Sequence, residues 1–301
     1  MHTLVTPCNI CPRNCGANRQ NGTPGTCHSG AKISVARASL HMWEEPCISG
    51  ENGSGTIFFT GCNLGCVYCQ NAAISRGHAG KEISEERLLE IFFELKDRGA
   101  HNINLVTPTH FLPSVLSAIK KAKEQAIGLP FVYNCGGYEK VELLKRAEGL
   151  VDIYLPDFKY MSPLLSARYS NAPDYARVAK AVLCEMVRQK PKCIFDEKGL
   201  MTAGVLVRHM MLPGQLKDAK AVVAHLINTY GDSIFLSIMR QYTPPKDIES
   251  KFPELSRTVG EREYEKLIDY AISIGCTNAF VQEGGAASES FIPEFNGFGV
   301  N

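Results

Sequence analysis

The sequence has almost no net charge: 32 basic residues against 31 acidic ones leave +1. It also has no long basic block, so nucleic acid and anionic membrane surfaces are not expected partners. No apolar run reaches the roughly 18 residues that a membrane-spanning helix needs. The first residues, MHTLVTPCNICPRN, lack the apolar core of a secretory signal, and a cytoplasmic location is the default expectation. A Gly-x-Gly-x-x-Gly turn after the first strand pattern is missing too, which argues against a dinucleotide-binding sheet.

Cysteine, by contrast, is plentiful, with 12 in 301 residues. In a chain of this size without secretory features, clustered cysteines point to metal or chemistry rather than to disulfides. Seven fall in two tight groups: Cys8, Cys11, Cys15 and Cys27, then Cys62, Cys66 and Cys69. Cys47, Cys135, Cys184, Cys193 and Cys276 are scattered, and Cys184, inside a helical pattern, reads as a small buried apolar residue.

The hydrophobic content of 45% supports one large packed domain. Residues 1–50 read as a loop-rich, Cys-rich extension, 51–283 as the main domain and 284–301 as a tail. In the main domain short apolar runs alternate with helical patterns. GTIFFT, NINLV, FVYNC, VDIYL, GVLVRHMML and SIFLSIM are the strand runs, with NAFVQ as a further short one. Between them, EERLLEIFFELKDRG starts behind Ser84 and ends where Gly99 suits a C-terminal cap. Strands that are apolar throughout imply a parallel sheet covered on both faces. About six strand–helix repeats fall short of a closed eight-fold barrel, so the expected fold is α/β, a partial (β/α)6 barrel. Chemistry should then gather at the C-terminal strand ends, where Cys62, Thr107-Pro108-Thr109, Asn134 and Asp157-Phe158-Lys159 fall.

GCNLGCVYCQN spaces three cysteines C-x3-C-x2-C. Three thiolates hold three irons of a [4Fe–4S] cube and leave the fourth open, whereas electron carriers use four cysteines. An open iron can be chelated by the amino and carboxylate groups of S-adenosylmethionine (SAM). One electron from the cluster then cleaves the sulfonium, giving a 5′-deoxyadenosyl radical that abstracts hydrogen. Tyr68, between the last two cysteines, offers an aromatic face to adenine. Structural zinc is the competing reading, but it wants a fourth ligand that the loop lacks. An iron–sulfur electron carrier or a zinc-dependent binding module would need neither the open iron nor a barrel.

GSGTIFFTGCNLGCVYCQN, with NINLVTPTHF, VYNCGGY, VDIYLPDFKY and VRHMMLPG, resembles the radical SAM superfamily, in its pyruvate formate-lyase activating enzyme-like branch. The resemblance spans nearly the whole chain. It implies an oxygen-sensitive oxidoreductase with an electron donor such as flavodoxin or ferredoxin. Its substrate is expected to be a glycyl-radical enzyme, a peptide or a small molecule. It also implies a SAM pocket. Thr107-Pro108-Thr109 replaces the family's Gly-rich stretch that meets the SAM amino group. Asp157 and Lys159 match an Asp-x-Lys of activating enzymes, Lys159 for the SAM carboxylate and Asp157 for the amino group, ribose or a cation. Arg208 is a further candidate, and Asn134 and Tyr138 are weaker ones. A loop salt bridge would explain Asp157 and Lys159 equally well, and Arg208 and His209 could face opposite ways with one merely solvated.

CNICPRNCGANRQNGTPGTC has the spacing C-x2-C-x3-C-x11-C. Structural zinc, a second, fully ligated iron–sulfur cluster and free thiols all fit it, and Cys47 could replace one ligand. Trp43, Glu44, Glu45, His110, Gln241, Tyr242 and Gln282 are candidate substrate-pocket residues, each with a structural alternative. The tail from Gly284 is either a lid or a loose end.

Overall fold

A computed structural model describes residues 7–77, 79–282 and 293–301. Its strands, in chain order, are β1 (Ile33–His41), β2 (Ser54–Phe59), β3 (Lys81–Ile83), β4 (Ile103–Val106), β5 (Phe131–Cys135), β6 (Ile153–Pro156), β7 (Ile194–Phe195), β8 (Met201–Met210), β9 (Phe235–Met239) and β10 (Ala279–Val281). The sheet order is β10-β9-β8-β6-β5-β4-β2-β1-β3, with β7 alongside β8. From β2 to β10 the pairs along this order are parallel, as expected for apolar strands joined by helices. The two ends of the order do not meet, so the barrel is open.

Local signals explain the helices that cover the outer face. Ser84 caps helix Glu85–Asp97 by accepting the Arg87 N–H at 3.1 Å. Gly99 follows that helix with φ +87°, the left-handed conformation expected of a C-terminal cap. In Tyr175–Gln189 the buried stripe includes Val178, Ala179, Val182, Leu183 and Met186, which leaves Cys184 on the outer face. Cys184 is therefore exposed, contrary to the expectation of a buried residue.

Inside the barrel, the floor is closed by the short helix Pro46–Ser49, whose Cys47 and Ile48 pack on Val132, Ile153, Leu155 and Leu206. Asn102 fastens this plug by donating to the Ile48 carbonyl at 2.7 Å. Cys47 is thus a floor residue in a separate apolar cluster and does not join the N-terminal four.

Residues 1–50 are not all loop. β1 pairs antiparallel with β2, from Val35 opposite Phe59 to His41 opposite Ser54. Its Ala-Arg-Ala-Ser stretch has weak strand propensity, and tertiary pairing on both sides overrides it. On the second side Ile33–Val35 pair with β3, and beyond them lies the C-terminal segment. Ala38 N–H donates to the Phe298 carbonyl at 2.9 Å and Gly297 N–H to the Ala36 carbonyl at 3.0 Å. Arg87 holds the terminal Asn301 carbonyl at 2.7 Å. The last nine residues are therefore docked rather than loose, and residues 284–292 of the expected lid lie outside the described ones. Gly299 sits at φ +74° with the Ala38 carbonyl where a Cβ would go. Gly299→Ala is expected to cost about 1–3 kcal/mol by strain and collision. A melt of the variant checks this, and an unchanged Tm would show that the tail does not brace β1.

Among the described residues no helix is long and apolar enough to cross a membrane.

Candidate active site

β2 delivers the chain to the three-cysteine loop. Gly61 turns it at φ +91° while pressed on Ser29 and the Cys27 carbonyl, a place where no side chain fits. The loop beyond is held by Arg13, whose guanidinium donates to the carbonyls of Asn63 at 2.7 Å and Ser170 at 2.8 Å, with Asn171 a further acceptor.

Each of the three sulfurs meets a donor. Leu64 N–H approaches Cys62 Sγ at 3.4 Å, and the Ser170 hydroxyl donates to Cys66 Sγ at 2.9 Å. The Ser75 hydroxyl bonds the Cys69 sulfur. Burial, and then the neighbouring Cys66 and Cys69 sulfurs, push the Cys62 thiol up to about 12. Burial followed by Cys66 raises Cys69 in the same direction. Buried thiols that repel one another as thiolates, yet carry donors aimed at sulfur, are suited to ligating a cationic cluster. Among the described residues no three Cys, His, Asp or Glu side chains are drawn together as a metal-ion site.

Facing this loop is a charged network. Arg208 donates through Nε to Asp157 at 3.0 Å, through Nη1 to Glu44 at 3.1 Å and through Nη2 to Asn134 Oδ1 at 2.8 Å. Lys159 Nζ bonds the other Asp157 oxygen at 2.7 Å. Burial would raise the Asp157 carboxyl, but Lys159 and Arg208 outweigh it and hold Asp157 below its ordinary value. Burial likewise opposes the Lys159 charge, and Asp157 followed by the Cys66 sulfur reverses the effect.

Loop and network enclose an open cleft of about 780 Å³, lined by Cys66, Tyr68, Cys69, Gln70, Asn71, Asp157, Lys159, Arg208, Met210, Met239 and Gln241. Cys66, Cys69, Tyr68, Asp157, Lys159 and Arg208 thus come together around one space, although they derive from three separate stretches of sequence. Asp157 and Lys159 form a salt bridge and also line the cleft.

The other expected site residues are placed differently. Tyr68 reaches the cleft, but its ring is set among Tyr160, Tyr169 and Tyr242, and its hydroxyl accepts from Tyr160 at 2.7 Å. Thr107, Pro108 and Thr109 do not line this cleft, and Asn134 stands behind its Arg208 wall, accepting from that guanidinium. Thr107 takes φ +58° while donating its N–H to the Asn134 carbonyl, and the Thr109 hydroxyl turns to Glu139. Tyr138 stacks under Arg13 and bonds Asp174, so it supports the N-terminal segment. His209 is buried against the Phe158 carbonyl rather than solvated. His110 is buried too, bonded to the Thr60 carbonyl at 2.8 Å. Of the substrate-pocket candidates, Gln241 lines the cleft and Gln282 braces it at 3.0 Å. Glu44 lies beneath Arg208, and Glu45 is bonded to Ser237. Tyr242 is buried and bonded to the Leu255 carbonyl, and Trp43 is exposed.

Glu139 had no sequence signal. It is buried between Thr109 and Cys135, with Oε2 unpartnered. Burial pushes its carboxyl from 4.5 up to about 7, the bonds from Thr109 and Cys135 only partly opposing it. The folded protein then binds a proton that the unfolded chain has released, so stability is full below pH 4.5 and falls as pH rises through about 7. Glu139→Gln is expected to remove a loss on the order of 3 kcal/mol across that window. Denaturant titrations at pH 5 and 8 check it, and equal slopes in both proteins would exclude the effect.

With the geometry in view, comparison with known proteins decides the family. The sequence profile of the radical SAM superfamily matches residues 56–186, the stretch carrying the three cysteines, Asp157 and Lys159. Residues 56–186 carry a radical SAM domain. It is 27% identical over 241 residues to the pyruvate formate-lyase-activating enzyme of Clostridium pasteurianum, covering 75% of this chain and 84% of that one. It is 28% identical over 273 residues to an uncharacterized protein of Methanocaldococcus jannaschii, covering 88% of this chain and 74% of that one. Among solved structures, Streptococcus suis SuiB bound to its precursor peptide superposes with TM-score 0.50 at 12% identity, over 74% of this chain and 46% of SuiB. The chain therefore spans about half the length of SuiB, and that likeness concerns the fold. A radical SAM domain implies a [4Fe–4S] cluster and SAM, and the sulfur-directed donors fit such a cluster.

Proposed function

We propose that this radical SAM protein cleaves SAM reductively and uses the resulting radical to abstract a hydrogen atom from a substrate. The observation that carries this reading is the three-cysteine loop facing Asp157, Lys159 and Arg208 across one cleft. Cys62, Cys66 and Cys69 would hold the cluster. When bound, the cluster supplies one electron that splits SAM into methionine and a 5′-deoxyadenosyl radical. The protein's own groups match the rest of the cofactor. Lys159 and Arg208 suit its carboxylate, and Asp157 suits its ammonium. Met210 and Met239 give one wall an apolar surface that limits water. The Leu64 amide and the Ser170 and Ser75 hydroxyls hold charge on the sulfurs.

For the substrate, the likeness to an activating enzyme supports abstraction from a backbone glycine of a glycyl-radical enzyme, with flavodoxin or ferredoxin as electron source. A second reading, modification of a small molecule, is favoured by the barrel interior. Asn104 is in register with Val132, a lumen-facing residue, and both of its amide atoms are buried without a partner. A polar ligand in the lumen would satisfy them.

Anaerobic protein, reduced with dithionite and given SAM, is expected to release 5′-deoxyadenosine. With a glycine-deuterated glycyl-radical partner, deuterium should appear in that product. SAM cleavage without deuterium transfer would remove the glycyl reading, and no cleavage at all would remove the function.

A further inference from the structure

Tyrosine rings pack edge to face beside the cysteine loop, Tyr68 against Tyr160, Tyr169 and Tyr242, and Tyr160 against Tyr175. Most of their hydroxyls lead away from it. Tyr169 ends on Glu254, Tyr175 on the Gly136 and Asp157 carbonyls, and Tyr242 on the Leu255 carbonyl. Tyr68 and Tyr160 instead lead inward. Their hydroxyls meet at 2.7 Å, the Tyr160 hydroxyl meets Ser170 Oγ at 2.8 Å, and Ser170 Oγ meets Cys66 Sγ at 2.9 Å. All four side chains are buried.

A proton count gives this chain a direction. A thiolate only accepts, so with Cys66 ionised Ser170 spends its one hydroxyl proton on sulfur. Tyr160 must then donate to Ser170. That leaves Tyr68 to donate to Tyr160, in a bond that either hydroxyl can donate, so a thiolate at Cys66 turns it towards the sulfur.

The Ser170 end is pinned. Ser170 closes the helix Pro163–Ser170, and its carbonyl accepts from Arg13 at 2.8 Å. Val67 N–H ties the cysteine loop to the Tyr169 carbonyl at 2.9 Å. The N-terminal segment therefore reaches the chain through Arg13. Its sulfurs take no part, and among the described residues they are not gathered as a metal-ion site.

We propose that Tyr68, Tyr160 and Ser170 form a one-way hydroxyl chain that eases reduction of the cluster, with Tyr160 a positioning residue acting through Ser170. The proposal rests on the reading of Cys62, Cys66 and Cys69 as cluster ligands. Hydrogen bonds to cluster sulfur help to set the reduction potential, and a donor there favours the reduced form because it stabilises added negative charge. Bonds in a chain polarise one another, by roughly 10–30% each. The Tyr160 donor also leaves the Ser170 proton no partner but sulfur.

An EPR-monitored redox titration of the anaerobic full-length protein tests this, with iron and sulfide assayed alongside. Tyr160→Phe keeps the ring and removes a hydroxyl that does not touch sulfur. It should keep its iron, and its reduction equilibrium should fall about threefold, a midpoint roughly 30 mV more negative. Ser170→Ala loses the direct donor and should shift the same way by at least about tenfold, or about 59 mV. Tyr242→Phe removes a buried hydroxyl from the same ring cluster but outside the chain, and its midpoint should match wild type. A wild-type midpoint in Tyr160→Phe would overturn the chain, even if Ser170→Ala shifts. Equal shifts in Tyr160→Phe and Tyr242→Phe would assign the effect to packing and overturn it as well. Should Tyr160→Phe lose its iron, Tyr68→Phe takes its place, with a more negative midpoint expected and a wild-type midpoint overturning the chain. A wild-type protein without any iron–sulfur signal would overturn the cluster reading and the chain together, whereas a normal wild-type signal with no shift in Tyr160→Phe overturns the chain alone.

Discussion

Cys66→Ala is expected to lower SAM cleavage by at least about 1,000-fold, equivalent to roughly 4 kcal/mol of transition-state stabilisation. The loop supplies three ligands, and with one gone the remaining two thiolates cannot fix three irons. Cys66 is the most enclosed of the three and takes the Ser170 hydroxyl bond. The fold should survive, because a small buried side chain is traded for a smaller one at a strand-end loop. Iron and sulfide content should fall with activity while the melting curve stays close to wild type. Cys135→Ala is the control: Cys135 is buried beside Glu139 and outside the cleft, so cluster content should be retained. Cleavage undiminished in Cys66→Ala would show that the cysteine loop is not the cluster site.

Arg208→Leu is expected to have the second large effect, and on two quantities. Removing the guanidinium leaves Asp157 and Glu44 buried without their shared partner, at about 3–5 kcal/mol. It also removes one of two cations facing the cleft, so SAM binding should weaken by at least about tenfold. Arg208→Lys should not restore either, since one ammonium cannot reach three partners in the directions that Nε, Nη1 and Nη2 serve. Glu44→Gln on top of Arg208→Leu should recover part of the stability but not the SAM affinity. Thermal melts and SAM titration calorimetry separate the two, and an unchanged Tm in Arg208→Leu would mean that the network carries no load.

The parallel strands were legible in the sequence because each is a mostly apolar run that ends near a residue breaking the pattern. Cys62, Asn134 and Asp157 are such residues, so their clustering at one end of the barrel followed from topology. β1 was not legible. Its Ala-Arg-Ala-Ser stretch becomes a strand only because β2 and the C-terminal segment pair with it, and neither pairing leaves a local mark. Distance along the chain hid other parts of the site. Ser170 is 104 residues from the Cys66 it bonds, and Glu44 is 164 residues from Arg208. The sequence did not show that Thr107 adopts a left-handed backbone or that the Thr109 hydroxyl turns to Glu139. Alternation along β8 set Arg208 into the lumen and His209 into the outer core, which fixed which of the two faces the cleft.

The most direct measurement is the low-temperature EPR spectrum of the dithionite-reduced protein before and after SAM is added. An iron without a protein ligand at the Cys62–Cys66–Cys69 loop should take SAM as its ligand, and the signal of the reduced cluster should shift. A reduced-cluster signal that stays unchanged at saturating SAM would contradict the open iron on which the proposed function rests.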